Sequence, residues 1–177
     1  ADVREYFRDI TFQAFLTLAF TEIDFAAAEW RIPADRMKAG REHVVPLSSQ
    51  AVEILTAMKG EAEPEPTAII FAGRKGEAVS DMTLTKVMRD MGRSETVHGF
   101  RSAFKDWASE ATAFPDAVSE AALAHVDGNK TRAAYRRTDF LAKRAQMMTA
   151  WAGYLEGKGG KVANLGQHRA RKAAGAA

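Results

Sequence analysis

Glu29-Trp30-Arg31-Ile32 and His43-Val44-Val45, joined by the polar, basic stretch over 33–42, decide how this chain reads. Both runs are too short for a helix and rich in the β-branched and aromatic residues that suit a pleated strand. Gly40 gives the connection its turn chemistry. The pair predicts a β-hairpin with an exposed basic tip at Arg36, Lys38 and Arg41.

Working outward, Val3, Tyr6, Phe7, Ile10, Ala14, Phe15 and Leu18 recur at helical spacing and predict a core helix over 3–18. On the other side, Ser48 or Ser49 can cap a helix through Val52, Leu55 and Met58 that Gly60 stops. An acidic, proline-rich surface loop over 61–66 precedes Ala68-Ile69-Ile70-Phe71, a candidate third strand, and a turn over 73–76. Helices dominate beyond that point. Ser80 is the expected cap of a helix over 81–91 whose Leu84, Val87, Met88 and Met91 share a face, ended by Gly92. Further helices are expected over 99–110, 115–124, 131–135 and 139–155, the last carrying Phe140, Leu141, Met148, Trp151 and Leu155. The fold class is therefore α+β, mainly α-helical, with one small three-stranded antiparallel sheet. Residues 157–177 have no apolar period and predict a mobile basic tail.

Composition narrows the chemistry. The chain has 177 residues, 46% hydrophobic and 27% charged, which is enough to bury one full core. Without cysteine, disulfides, zinc–thiolate sites, iron–sulfur clusters and thiol nucleophiles are excluded. No apolar run reaches the ~20 residues of a membrane span, and Asp2, Arg4 and Glu5 do not suit a signal peptide, so a soluble, intracellular protein is expected. A net charge of +2 is too small to name a nucleic-acid partner, so the distribution of cations must carry that argument.

Three clusters could carry chemistry. His98 and Arg101 stand three apart at a helix start, where an imidazole and a guanidinium can converge on a phosphate. Taken alone, this spacing is more often a capping histidine beside a surface arginine. Leu123-Ala124-His125 precedes Tyr135, which is flanked by Lys130, Arg132, Arg136 and Arg137. Cations there would favour a phenolate nucleophile, although a tyrosine with a buried ring and exposed hydroxyl is the commoner role. At the hairpin tip, Lys38 could protonate a leaving oxygen or be a solvated loop cation. The histidines His43, His98, His125 and His168 lack metal-ligand spacing, so no metal site is expected.

Order and wording make these clusters one pattern: Trp30-Arg31-Ile32-Pro33 with Arg36-Met37-Lys38, His43-Val44-Val45-Pro46-Leu47-Ser48, His98-Gly99-Phe100-Arg101, Leu123-Ala124-His125-Val126, and Ala133-Ala134-Tyr135-Arg136-Arg137-Thr138-Asp139. Over about 11–155 the chain resembles the tyrosine recombinases, specifically the catalytic domain of bacteriophage-type integrases. The resemblance implies a catalytic domain over 1–156, followed by the tail. It implies a DNA strand-transferase in which Tyr135 attacks the scissile phosphate and forms a 3′-phosphotyrosyl bond. Arg101 would clamp the nonbridging oxygens, His98 would assist proton transfer, His125 would donate to the phosphate, and Lys38 would be the general acid. Arg36, Arg41, Lys130, Arg132, Arg136 and Arg137 are further expected DNA-phosphate contacts. No cofactor or metal is implied. The implied partners are double-stranded attachment-site DNA and, in the full-length protein, three further copies in a homotetramer, in the bacterial cytoplasm at the nucleoid.

The pattern breaks in one place. The family carries an earlier arginine, in a word of the form Arg-x-Gly-Glu or Arg-x-Ser-Glu, before a Trp-x-x-Ile-Asp-like segment. Here Thr17-Leu18-Ala19-Phe20 runs almost directly into Thr21-Glu22-Ile23-Asp24. A true deletion and a stretch merely unobserved both explain the gap, and the undamaged flanking words favour the second. Two other readings compete with the recombinase: a DNA-binding remnant without catalysis, and a helical protein-interaction module presenting Trp107, Trp151 or Tyr154. The spacing of those aromatics favours core burial.

Overall fold

Asp24 begins the sheet by folding the chain back on itself. Its Oδ1 accepts from the amides of Ala26 (3.0 Å) and Ala27 (2.8 Å), an Asx turn that lets a two-residue strand pair with its successor in the chain. In the computed structural model, which describes residues 14–37, 40–60, 65, 67–96, 99–125 and 139–157, the strands are β1 (Ile23–Asp24), β2 (Glu29–Ile32) and β3 (His43–Pro46). They form one antiparallel sheet in the order β1-β2-β3, with Ile23 opposite Trp30 and Trp30 opposite Val45. The expected hairpin is present. Gly40, at φ +59, donates to the Met37 carbonyl at 2.8 Å, a left-handed turn that favours glycine.

The third strand is not the expected one. Residues 68–71 form only an isolated bridge between Ala19 and Ile69, with Ile70 donating to Leu18 and Phe20 to Ala68. Two bonds to a curving segment make a bridge and no ladder, so the third place falls to Ile23–Asp24.

The connection between Thr17 and Glu22 is short. Backbone passes without interruption from residues 14–16, which are helical, through a 3-10 turn at Phe20–Glu22 into β1, and Glu22 donates to the Ala19 carbonyl at 3.1 Å. The sequence carries no arginine word in this connection.

Among the described residues five helices come after the sheet: α1 (Ser49–Lys59), α2 (Asp81–Asp90), α3 (Gly99–Ala111), α4 (Asp116–Ala122) and α5 (Leu141–Leu155). Ser48 caps α1 as expected, accepting from the Ala51 amide at 3.2 Å. Ser80 holds the N-cap position of α2 without a capping bond, its hydroxyl lying 3.3 Å from that of Thr83. The expected helix over 131–135, most of the first helix and the tail beyond Gly157 lie outside the described residues.

Apolar burial falls into two clusters. Ala14, Leu18, Ile23, Trp30, Ile32, Leu55 and Ile70 pack around the sheet, and Phe104, Trp107, Ala108, Val118, Leu123 and Met147 pack among α3, α4 and α5. Each fully buried large side chain contributes about 1.5–3 kcal/mol. Trp107, Trp151 and Tyr154 belong to the second cluster, with Phe104 edge-on to Trp151 at 5.4 Å and Trp151 stacked on Tyr154 at the same distance. That packing removes the basis for an aromatic interaction module. Met58, Val87, Met91 and Leu155 are exposed, contrary to the faces expected for them.

Candidate active site

Two segments far apart in sequence meet where α3 begins and α4 ends. Thr96 receives the Gly99 amide through its hydroxyl (3.1 Å) and its carbonyl (2.9 Å), which fixes the first turn of α3. Arg101 lies in that turn, and its Nη2 donates to the Leu123 carbonyl at 2.9 Å. His125 stands two positions beyond Leu123.

The end of α4 is built to present that histidine. Ala124 has φ +53, Ala124 donates to the Ala121 carbonyl (3.2 Å), and His125 donates to the Glu120 carbonyl (3.0 Å), the bond pattern of a Schellman motif. Alanine occupies the left-handed position usually held by glycine, at a cost of about 1 kcal/mol. Ala124→Gly is therefore expected to stabilise the chain by about 0.5–1 kcal/mol, read as a rise of a few degrees in the thermal midpoint.

Charges lock the same corner. On α3, one turn after Arg101, Lys105 Nζ contacts Asp116 Oδ1 (2.6 Å), Ser119 Oγ (2.9 Å) and the Glu120 carboxylate. The second oxygen of Glu120 lies 2.7 Å from His125 Nδ1. Burial opposes both charges, but the hydrogen bonds that Lys105 donates to Asp116 and Glu120 hold it above its ordinary value, and the contacts of Glu120 with Lys105 and His125 hold the carboxylate below its own. Neither Lys105 nor Glu120 stands out in the sequence.

Of the other expected site residues, Lys38, His98, Lys130, Arg132, Tyr135, Arg136 and Arg137 lie outside the described residues. Arg41 is exposed at the foot of the hairpin. Arg36 is engaged within the chain. Its Nη1 donates to Thr17 O (2.8 Å) and Oγ1 (2.6 Å), its Nη2 pairs with Glu22, and Glu22 also accepts from Trp30 Nε1 at 2.9 Å. This arginine is turned inward, where it ties the hairpin to the short Thr17–Glu22 connection.

A second inward-turned arginine escapes the sequence reading altogether. Arg144 on α5 is 1% exposed, and its guanidinium donates from Nε to Asp139 O (2.8 Å), from Nη2 to Asp139 Oδ2 (2.8 Å) and from Nη1 to Val44 O (2.6 Å). It joins the hairpin to the residue that leads into α5, only a few positions after Tyr135. A charge on the stripe shared with Met147 and Trp151 is the signal that could have revealed it.

His43 adjoins this arginine. Burial first, then the Arg144 charge, lower it to about 4 with Asp139 opposing, and its Nε2 is buried without a partner among the described residues. Between 6.5 and about 4 the unfolded chain binds a proton that the folded chain excludes, so this contribution is complete above pH 6.5 and lost as pH falls toward 4. Stability is expected to drop by about 2 kcal/mol between pH 6.5 and about pH 5, and His43→Asn should flatten that slope in urea titrations.

Among the described residues no group of three or more histidine, aspartate or glutamate side chains could hold a metal ion, and no helix is long and apolar enough to cross a membrane. Comparison with known proteins decides the family. A model of the phage integrase family matches residues 13–141. The chain belongs to the phage integrase family. Its α+β fold is that of a tyrosine-recombinase catalytic domain. This integrase-family chain is 41% identical over 133 residues to Prophage integrase IntA of Escherichia coli K12, an alignment covering 74% of the chain and 32% of IntA. It is 34% identical over 166 residues to the integrase of Enterobacteria phage P4, covering 81% of the chain and 37% of that protein. The integrase of Shigella phage Sf6 is 33% identical over 146 residues, 80% of the chain and 37% of that protein. The chain thus spans about a third of the length of the curated relatives it matches. No solved structure matches it.

Proposed function

We propose that this chain is the strand-transfer segment of a site-specific DNA recombinase, an integrase that inserts or excises a mobile element. The observation that carries the reading is the meeting of Arg101 and the His125 turn through the Leu123 carbonyl, at the positions where the family pattern needs two phosphate-binding groups. Tyr135 Oη passes its proton to His98 as it attacks the scissile phosphorus, the 5′-oxygen leaves with a proton from Lys38, and a 3′-phosphotyrosyl bond replaces the phosphodiester. A 5′-hydroxyl on the partner strand later attacks the phosphotyrosyl phosphorus, forming a new phosphodiester and releasing Tyr135. Arg101, His98 and His125 neutralise charge on the pentacoordinate phosphorane, which is the main demand of phosphoryl transfer, and the stored ester makes ATP unnecessary. The partners on this reading are double-stranded attachment sites and, in the full-length protein, further copies in a homotetramer. The setting is the bacterial cytoplasm at the nucleoid.

The absent early arginine supports a second reading, a DNA-binding segment with impaired catalysis. Losing one preorganised donor costs about 10²–10³ in rate. Incubation with a nicked suicide duplex carrying the element's attachment sequence, then denaturing electrophoresis and peptide mapping, separates the two. A slow adduct on Tyr135 supports strand transfer. Salt-sensitive binding without adduct supports the impaired segment.

A further inference from the structure

We propose that Glu120 is a positioning residue for His125: its carboxylate fixes the imidazole with the proton on Nδ1 and turns Nε2 outward as the group that meets phosphate. The inference rests on the recombinase reading for what Nε2 does, and on geometry for how the ring is held. Three contacts converge on this one side chain. Glu120 Oε2 lies 2.7 Å from His125 Nδ1, the Glu120 carbonyl accepts the His125 amide at 3.0 Å, and Lys105 grips the other carboxylate oxygen. Lys105 is in turn held by Asp116 and Ser119, so the carboxylate cannot swing away without breaking the link between α3 and α4.

The tautomer dictates the chemistry. A carboxylate accepts and cannot donate, so Nδ1 must carry the proton in either charge state of the ring. Neutral His125 then presents a lone pair at Nε2, and the imidazolium presents a donor there. The second form suits a phosphate oxygen. An unheld ring would divide its proton between the two nitrogens and rotate in and out of line with the phosphate.

The test reads the nitrogen and the reaction separately. In ¹⁵N-labelled full chain, with the signal assigned by its loss in His125→Ala, His125 is expected to show protonated Nδ1 and to lose that preference in Glu120→Gln. Unchanged nitrogen shifts in Glu120→Gln overturn the proposal whatever happens to DNA. On the nicked duplex, Glu120→Gln is expected to slow adduct formation by roughly tenfold to a hundredfold, the scale for carboxylate partners that orient functional histidines, with DNA affinity unchanged. In a His125→Ala background the same substitution should do nothing more, since Glu120 acts through that ring. A full-sized loss persisting in that background also overturns the proposal, by assigning Glu120 to the Lys105 link instead. If the unsubstituted chain forms no adduct, the recombinase reading is what fails, and the nitrogen shifts still decide whether Glu120 sets the ring.

Discussion

A chain carrying Tyr135→Phe is expected to form no covalent adduct with the nicked duplex while binding DNA with affinity within about twofold of the unsubstituted chain, a free-energy difference below 1 kcal/mol. The asymmetry comes from what one oxygen does in each process. In binding, the ring and the surrounding cations remain, and affinity for phosphates is spread over many charges and is steeply salt-dependent. On the proposed mechanism the phenolic oxygen is the atom that becomes bonded to phosphorus in cleavage, and the chain holds no ready substitute. It has no cysteine, and its other tyrosines are Tyr6 and Tyr154, the latter stacked on Trp151 inside the helical cluster. Arg101→Ala should likewise reduce cleavage far more than affinity, by about 10²–10³, because on the proposed mechanism it removes charge opposite the phosphorane. An adduct that persists in Tyr135→Phe, mapped to another residue, would refute the assigned nucleophile.

How much of this could be read from sequence depended on whether the signal was local. The hairpin of β2 and β3 could be read because two β-rich runs flank a polar turn containing Gly40. Strand β1 could not, since two residues have no period and only the Asx turn at Asp24 and pairing to β2 make Ile23 a strand. The apolar run at 68–71 misled for the opposite reason: strand-like composition met a partner that curves away after one bridge. Helices were legible as helices, but not their faces. Met91 and Val87 share the expected stripe on α2 and remain exposed, because nothing among the described residues packs over them closely enough to bury them. At the site, Arg101 and His125 were legible as words of a family pattern. Their meeting was not, because it runs through the backbone carbonyl of Leu123, an acceptor that every residue owns. Glu120 and Lys105 resembled any surface ion pair, and only tertiary placement makes their carboxylate and ammonium the support of an imidazole.

Arg144→Ala is expected to destabilise the chain by about 3–5 kcal/mol, read as a lower urea midpoint at an unchanged slope. Three groups lose a donor at once: the carbonyls of Val44 and Asp139 and the Asp139 carboxylate. An orphaned buried acceptor costs about 1–3 kcal/mol, and the cavity left by so large a buried side chain adds to that. The Asp139 side chain is 60% exposed and can turn to water, which keeps the total from rising further. The loss also reaches Phe140, whose φ of +59 is left-handed and unfavourable for a side chain of that size. Arg144 grips residue 139 with its side chain and donates its amide to the Phe140 carbonyl at 2.8 Å, so the strained residue is held between two bonds of one arginine. Arg144→Lys should recover less than half of the loss, since an ammonium on a flexible stem cannot span Val44 and both oxygens of Asp139 as the planar fork does. Asp139→Asn, by contrast, should cost only about 1 kcal/mol, because the Nε and Nη1 bonds to backbone carbonyls survive it. That ordering distinguishes a joint between hairpin and helix from a simple ion pair: if charge alone mattered, Asp139→Asn would cost as much as Arg144→Ala. Arg144→Ala should also ease the acid sensitivity of His43, because the Arg144 charge is the second cause of its lowered value and opening the site to water weakens the first.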